Sequence, residues 1–340
     1  MRPKQDADGA WLLPFLLSDP VQTVLQWSQT GSNHPRFESK TLLDLPIPDT
    51  VVRQRLTLAA SLSTAIADFE RSRSYYEEAE QELLQRLSWE QEIDKSDDLF
   101  FFMQFARIAN DARIDAEHFQ PKFYRLRERL KSLHSTRIGD FCEPPSRGVQ
   151  PMFVADGDVW VLASKAIRPQ GVVLDEDGRT SLEFWEAPAS EKGRVRPGDV
   201  LLNSTGVGTL GRASYYIDGA PALADNHVSL LRPDQSICLP VYLSLFLNTK
   251  AGLWQSEMYQ TGSSGQLEIY PHHIEDILVF LPRDRNGSVD LPWQRMLVDK
   301  VLAARLVKQE TRDKLLAAKS LIEGSMGSLR EKMYVPSRYS

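Results

Sequence analysis

Two stretches of this chain, 231 residues apart, end in the same way and then run into long helical segments. That duplication constrains the fold more than any other feature. The first stretch has an apolar run at 12–17, then Gln29-Thr30-Gly31-Ser32, then Leu43-Asp44-Leu45-Pro46-Ile47-Pro48. The second has an apolar run at 242–247, then Gln260-Thr261-Gly262-Ser263, then Glu275-Asp276-Ile277-Leu278-Val279 and Pro282. The offset that sets Gly31 on Gly262 also sets Phe15 on Phe246 and Leu16 on Leu247. Order and spacing repeat together, as a duplicated structural unit requires.

Each copy leads into a helix. Asp49 and Asp290 suit helix N-caps and Pro292 suits a first turn, while Pro46 and Pro48 prevent an earlier start. From 51 to about 92, apolar residues recur mostly in steps of three and four at Val52, Leu56, Ala59, Leu62, Ile66, Phe69, Tyr76, Leu83 and Leu87. This is the stripe of a coiled coil. From 293 to about 334 the corresponding stripe is Leu302, Leu306, Leu315, Ile322, Met326, Leu329 and Met333, with breaks at Gln309, Gly324 and Gly327. At about 1.5 Å per residue, some forty residues make a rod of roughly 60 Å, too long to bury its stripe alone. Two such rods separated by a whole domain are expected to pair antiparallel; the alternative is that each packs on its own globular neighbour.

Between the rods the texture changes to short β-like runs at 159–162, 172–174, 199–203, 213–217 and 228–231, bounded by Gly, Pro and Asp. Short helical pieces are expected at 242–248 and 274–276. The expected class is α+β, with one mixed α/β domain and two long antiparallel helices forming a coiled coil.

Charge narrows the options. The 340 residues carry a net charge of −6 with pI near 5.6, which excludes gripping nucleic acid by bulk positive charge. Any such contact must be local or shared with a basic partner. One local cluster stands out between 121 and 137, where Lys122, Arg125, Arg127, Arg129, Lys131 and Arg137 face a single acid, Glu128. It reads equally as a phosphate-facing surface or as the solvated side of a helix with Phe123, Leu126, Leu130 and Leu133 inward. No apolar run approaches the roughly 18 residues of a membrane span, and the polar start lacks a signal-peptide core, so no membrane partner and a cytoplasmic location are expected. Cys142 and Cys238 are far apart and form no CxxC, so they are expected to be buried small hydrophobes.

The succession RVRPGDVLLNSTGVGTLGRASYY, ADNHVSLLRP, YLSLFLNT, YQTGSSGQ, IEDILVFLP and a long helix containing Gln294 resembles the second half of a type I restriction–modification specificity (S) subunit. The opening of the domain, Ala112-Arg113-Ile114-Asp115-Ala116-Glu117-His118-Phe119-Gln120-Pro121-Lys122, resembles the start of a target-recognition domain of that family. The resemblance covers essentially the whole chain and rests on the order of motifs, not on any one of them. It implies the C-terminal remnant of a first recognition domain at 1–48, a spacer helix at 49–95, a complete recognition domain at 96–290, a second spacer helix at 291–335 and a tail at 336–340. One departure matters: the first recognition domain keeps only its last portion, 11–48. Either the reading frame begins late or another chain supplies the rest. The resemblance further implies a non-catalytic subunit that reads half of a bipartite double-stranded DNA target. Its helices would set the half-site spacing and dock adenine methyltransferase (M) subunits, with restriction (R) subunits as further partners. The competing expectation is a truncated scaffold that binds the methyltransferase without defining a bipartite site.

Base readout needs side chains that reach base edges. The glycine-rich connection 203–212 offers Asn203, Ser204, Thr205 and Arg212, and reads equally as a hairpin turn whose glycines supply positive φ. Asn226 and His227 precede a strand and fit either a base or phosphate contact or a satisfied structural role. Ser263, Ser264 and Gln266 follow a helical piece and suit phosphate or a plain turn. Arg125, Arg129, Lys165, Arg168, Arg194 and Arg196 are cations that fit phosphate contacts or ordinary surface roles. GVGTLG matches G-x-G-x-x-G, with Asp225 downstream, but the residues that follow it read as a strand, so no helix N-terminus is expected for a pyrophosphate. No Walker loop, zinc helix, nucleophile elbow or Asn/Asp-Pro-Pro-aromatic methyltransferase motif occurs. No cofactor and no metal are expected; His272-His273 beside Glu275 and Asp276 reads as a surface loop.

Overall fold

The computed structural model describes residues 7–31, 36–90, 100–106, 108, 113–174, 178–262 and 267–333. These form two compact units, one from Met1–Ser74 with Ala304–Ser340, the other Tyr75–Ala303.

The first unit holds helices α1 (Ala7–Leu16), α2 (Asp19–Trp27) and α3 (Ser39–Leu43). It also holds the start of α4 (Asp49–Arg86) and the later part of α10 (Leu291–Met333). Here α4 and α10 are antiparallel. Gln54 Nε2 donates to Ser325 Oγ at 3.1 Å, Lys314 Nζ meets Asp68 at 2.7 Å, and Ser72 Oγ donates to the Ala304 carbonyl at 2.7 Å. The buried positions on α4 include Val51, Leu58, Ala65 and Ser72, each seven residues after the last, with Leu62 between. Small residues at this spacing let the two backbones approach until a side-chain hydroxyl reaches the other helix's carbonyl. The seam therefore differs from the predicted stripe. Leu56 is 73% exposed, and Ile66, Phe69 and Leu306 are also exposed, while Ala59, Leu62 and Ile322 are buried as expected. Leu329 and Met333 lie beyond the described side chains. Trp11, Phe15 and Val21 of α1 and α2 close the core against Val51, Leu58, Leu62, Ala318 and Ile322.

In the second unit the same two helices meet through Lys300 and Glu82 at 2.9 Å, and Arg86 lies over the Trp293 ring. The rest is mixed α/β. Its helices are α5 (Pro121–Ser132), α6 (Leu182–Glu186), α7 (Pro240–Asn248), α8 (Lys250–Tyr259) and α9 (Pro271–Glu275). One four-stranded sheet runs β2 (Ser146–Arg147), β9 (Val228–Leu231), β6 (Val200–Asn203), β7 (Ala213–Tyr215), all antiparallel. A second runs β4 (Arg179–Thr180), β3 (Val159–Leu162), β8 (Ala222–Ala224), β5 (Arg194–Val195), with β3 and β8 parallel. Strands β1 (Thr136–Arg137) and β10 (Leu278–Val279) form a separate antiparallel pair.

Strand β6 is buried on both faces for a simple reason of alternation. Val200 and Leu202 face a helical core with Tyr242, Phe246, Leu83 and Leu297, whereas Leu201 joins Leu162, Ala222 and Ala224 of the second sheet. The helical core also takes Cys238, and burial pushes the thiol of half-buried Cys142 up to about 12. Residues 172–174, expected as a strand, instead lie in an irregular segment whose Val173 N–H bonds the Ala166 carbonyl. Helix α8 is an addition to the expected elements. Its Gly252 is required because a Cβ there would fall 2.4 Å from the Leu247 backbone, at the tight corner between α7 and α8.

Candidate functional site

Three connections of the second unit meet at the end of β6. The first, 204–212, is a hairpin between β6 and β7 in which Gly206, Gly208 and Gly211 have φ of 101°, 76° and 80°. A side chain would strain each of these positions, so the glycines serve the turn. The second is the Asn226-His227 turn between β8 and β9, where Asp225 Oδ1 accepts from the His227 backbone N–H at 2.8 Å. The two turns are tied together: Ser204 N–H and Oγ both donate to the His227 carbonyl, and Thr205 Oγ1 shares a 2.7 Å hydrogen bond with His227 Nδ1. The third connection carries Lys165 and Arg168, and Asn203 Nδ2 donates to its Ser164 carbonyl at 3.2 Å.

These contacts separate supporting groups from exposed ones. Asn203 and Ser204 are fully buried and position the turns, and the Oδ1 atoms of Asn203 and Asn226 are buried without a hydrogen-bond partner among the described residues. His227, Lys165 and Arg168 are exposed, and Thr205 and Arg212 half-buried. Burial, then the nearby Arg168 charge, hold the Arg212 pKa below its usual value, so two guanidinium groups share this edge.

The segment after α8 is joined to the same edge. Thr205 bridges Glu268, Gly206 N–H donates to the Leu267 carbonyl, and Ile269 N–H donates to the Ser204 carbonyl. Arg147 pairs with Glu268 and lies over the Tyr270 ring at 5.3 Å. Sequence reasoning missed Arg147 and Tyr270, which no motif in the sequence marks; Gly148 beside Arg147 is required by the fold, since a Cβ there would meet the Ala224 carbonyl oxygen at 2.2 Å. Ser263, Ser264 and Gln266 of this segment lie outside the described residues.

Other candidates sit elsewhere. Arg194 is committed to the α6 terminus, donating to the Trp185, Glu186 and Ala187 carbonyls at 2.7, 2.6 and 3.1 Å. Arg129 donates to the Leu87 carbonyl at 3.0 Å and to Ser88 Oγ at 2.9 Å, closing the end of α4 where Ser88 takes φ 53°. Arg125 is half-buried on α5, and Arg196 is exposed beside the Asp199 turn.

The chemistry offered at the β6 edge is hydrogen bonding and positive charge. GVGTLG is followed by β7, so no helix N-terminus is presented to a pyrophosphate there. The Thr205–His227 contact lacks a group orienting the ring among the described residues, since Asp225 accepts from the backbone of His227 and not from its imidazole. No helix among the described residues is long and apolar enough to cross a membrane.

Several solved structures are similar to this chain. The S subunit of a type I restriction–modification system from M. genitalium aligns at 13% identity and TM-score 0.48, covering 95% of this chain and 73% of that one. The HsdS subunit from Thermoanaerobacter tengcongensis aligns at 15% identity and TM-score 0.36, covering 93% and 69%. A structure described as underlying complex assembly and conformational transition of the type I R-M system aligns at 15% identity and TM-score 0.37, covering 93% and 70%. No family model matches the chain, and no curated protein matches it.

Proposed function

We propose that this chain is a non-catalytic DNA-recognition subunit of the type I restriction–modification class, reading one half-site through the β6 edge of its second unit. The observation that carries the reading is the convergence of polar and basic side chains from three connections on one sheet end, bound to one another through Ser204, Thr205 and His227. Thr205, Arg212, Asn226 and His227 are the groups assigned to base edges, and Lys165 and Arg168 to phosphates. Asn203 and Ser204 hold those groups in place. The ordered motifs and their repeated ending support the same family. The exposed apolar residues of α4 and α10 in the first unit, among them Leu56, Phe69, Leu306 and Leu316, are assigned to docking of methyltransferase subunits, with restriction subunits joining that complex. A net charge of −6 suits a subunit that shares phosphate contacts with such partners.

Co-expression with a neighbouring methyltransferase subunit, followed by methylome sequencing, should reveal adenine methylation at a split motif. Anisotropy titrations of the complex should then favour that duplex over random sequence. Replacing His227 by Ala should reduce the preference about tenfold or more, a single good base contact being worth about 1–3 kcal/mol. A complex that forms but binds all duplexes equally identifies the scaffold reading instead; no complex and no methylation refutes both.

A further inference from the structure

The cations of α5 are sorted onto different faces, and two of them join a cavity away from the β6 edge. Lys122 is held by Glu257 at 2.9 Å, and Arg129 is committed to the end of α4. Arg127 and Lys131, one turn apart on the same face, line a cavity of about 400 Å³ together with Arg113, Arg137 and the imidazoles of His118 and His273, and Lys131 also reaches the exposed carboxylate of Glu128 at 3.3 Å. Asp276 is the carboxylate in its lining, and Arg137 already neutralises it at 2.6 Å.

One donor of this cavity is fixed in place. Arg113 is clamped by Asp115 through two contacts, at 2.9 and 2.6 Å, and by the Gln260 carbonyl at 3.0 Å. Its remaining nitrogen, Nη1, is buried with no acceptor among the described residues; Nδ1 of His273 is also buried without a partner there, and its tautomer decides whether it donates or accepts. His118 Nδ1 lies 2.7 Å from the Met258 carbonyl, which can only accept, so this ring is fixed with Nδ1 protonated. A buried guanidinium nitrogen left without an acceptor is costly, and a guanidinium fork beside an ammonium group matches a tetrahedral oxyanion. In a chain of net charge −6, a lining of four cations against the one carboxylate of Asp276 favours an anion, with Asp115, Glu128 and Asp140 reaching three of those cations from outside the lining.

We propose that the cavity binds a phosphoryl group, presented either by a nucleic-acid backbone or by a free nucleotide. The inference does not depend on base reading at the β6 edge. Its test uses the full chain and inorganic phosphate, followed by phosphorus NMR line broadening at constant ionic strength. Binding should saturate, and Arg127→Gln and Lys131→Gln should each weaken it about tenfold, the loss of one charge-assisted contact. Both positions are accessible, and circular dichroism checks that each variant folds. Arg285→Gln, exposed on the 283–289 loop outside the cavity, should change affinity less than about twofold. Unsaturable binding, or equal weakening by Arg285→Gln, overturns the proposal. A short duplex that displaces the phosphate marks the backbone as the source, and displacement by adenosine monophosphate alone marks a nucleotide; displacement by neither overturns the site.

Discussion

Replacing Ser72 by Leu should damage the α4–α10 pair of the first unit more than removing the large Leu56 side chain. Ser72 is 1% exposed, and its Oγ sits 2.7 Å from the Ala304 carbonyl. A leucine there must fit two further methyl groups where the hydroxyl already touches the opposite backbone. Overpacking of this kind costs about 1–3 kcal/mol, and the lost hydrogen bond adds about 0.5–1.5 kcal/mol, giving roughly 2–4 kcal/mol. The Ala304 carbonyl keeps its place in the helix, so no further penalty for an orphaned acceptor applies. Leu56→Ala removes an exposed side chain and should change stability by no more than about 0.5 kcal/mol. Leu62→Ala, from the buried seam, serves as the reference at about 2–5 kcal/mol. Hydrogen exchange in peptides spanning 51–74 and 304–326 reads the local opening directly. Protection in Ser72→Leu should fall on the order of 30- to 700-fold if opening of the pair limits exchange. Near-normal protection in Ser72→Leu, together with a large loss in Leu56→Ala, would place the seam on the leucine stripe and refute this packing.

Two other substitutions probe the same chain. Lys314 and then Arg71 hold the Asp68 carboxyl below its usual range, so its stabilising effect is present above the ordinary carboxylate value of about 4 and is lost as pH falls through the lowered folded value. The advantage of the wild type over Asp68→Asn in urea titrations should therefore persist at neutral pH and disappear in acid; a gap independent of pH would contradict the assignment. Gly148→Ala drives a Cβ into the Ala224 and Asp225 carbonyl oxygens, both backbone atoms, and should cost about 1–3 kcal/mol in thermal or urea unfolding. Because Asp225 holds the His227 backbone, the same variant should also lose DNA preference, and an unchanged preference would separate that turn from recognition.

The fold was legible where periodicity was strong. The repeat, the two long helices and the runs at 159–162 and 228–231 follow from apolar spacing and turn residues, and they reappear as elements. The buried face of the helices was less legible, because hydrophobicity favours Leu56 and Phe69 whereas close approach favours Ala65 and Ser72. Distance between backbones decides that contest, and a single sequence does not contain it. The glycines of 203–212 were readable as turn formers and also lie where exposed polar groups gather; the two readings describe one object. Arg129 and Arg194 were ambiguous for another reason. A cation that closes a helix end and one that meets a phosphate have the same local sequence, and only the carbonyls around Arg194 distinguish them.

The two copies of the repeat share a backbone more closely than they share surroundings. Helices α1 and α2 match α7 and α8, and Gly31 and Gly262 take φ of 95° and 105°. Both copies then close a bridge, Thr30 with Arg36 and Thr261 with Glu268. Phe15 and Phe246 are both buried. On the face that meets a sheet in the second copy, however, the residues diverge. Asn248 bonds both backbone groups of Ala213 on β7, at 3.1 and 2.8 Å, and the matching residue is Leu17, which is exposed. Leu13 stands for Ser244 and Val24 for Gln255, and Trp27, 84% exposed, stands for Met258, whose backbone carbonyl meets His118. A carboxamide suits the unpaired groups of a strand end, whereas leucine and tryptophan suit an apolar counterpart. The duplication therefore carries the geometry of the helical corner and its glycine turn. Those need one buried phenylalanine and one positive φ, and they leave the sheet-facing side chains free to differ.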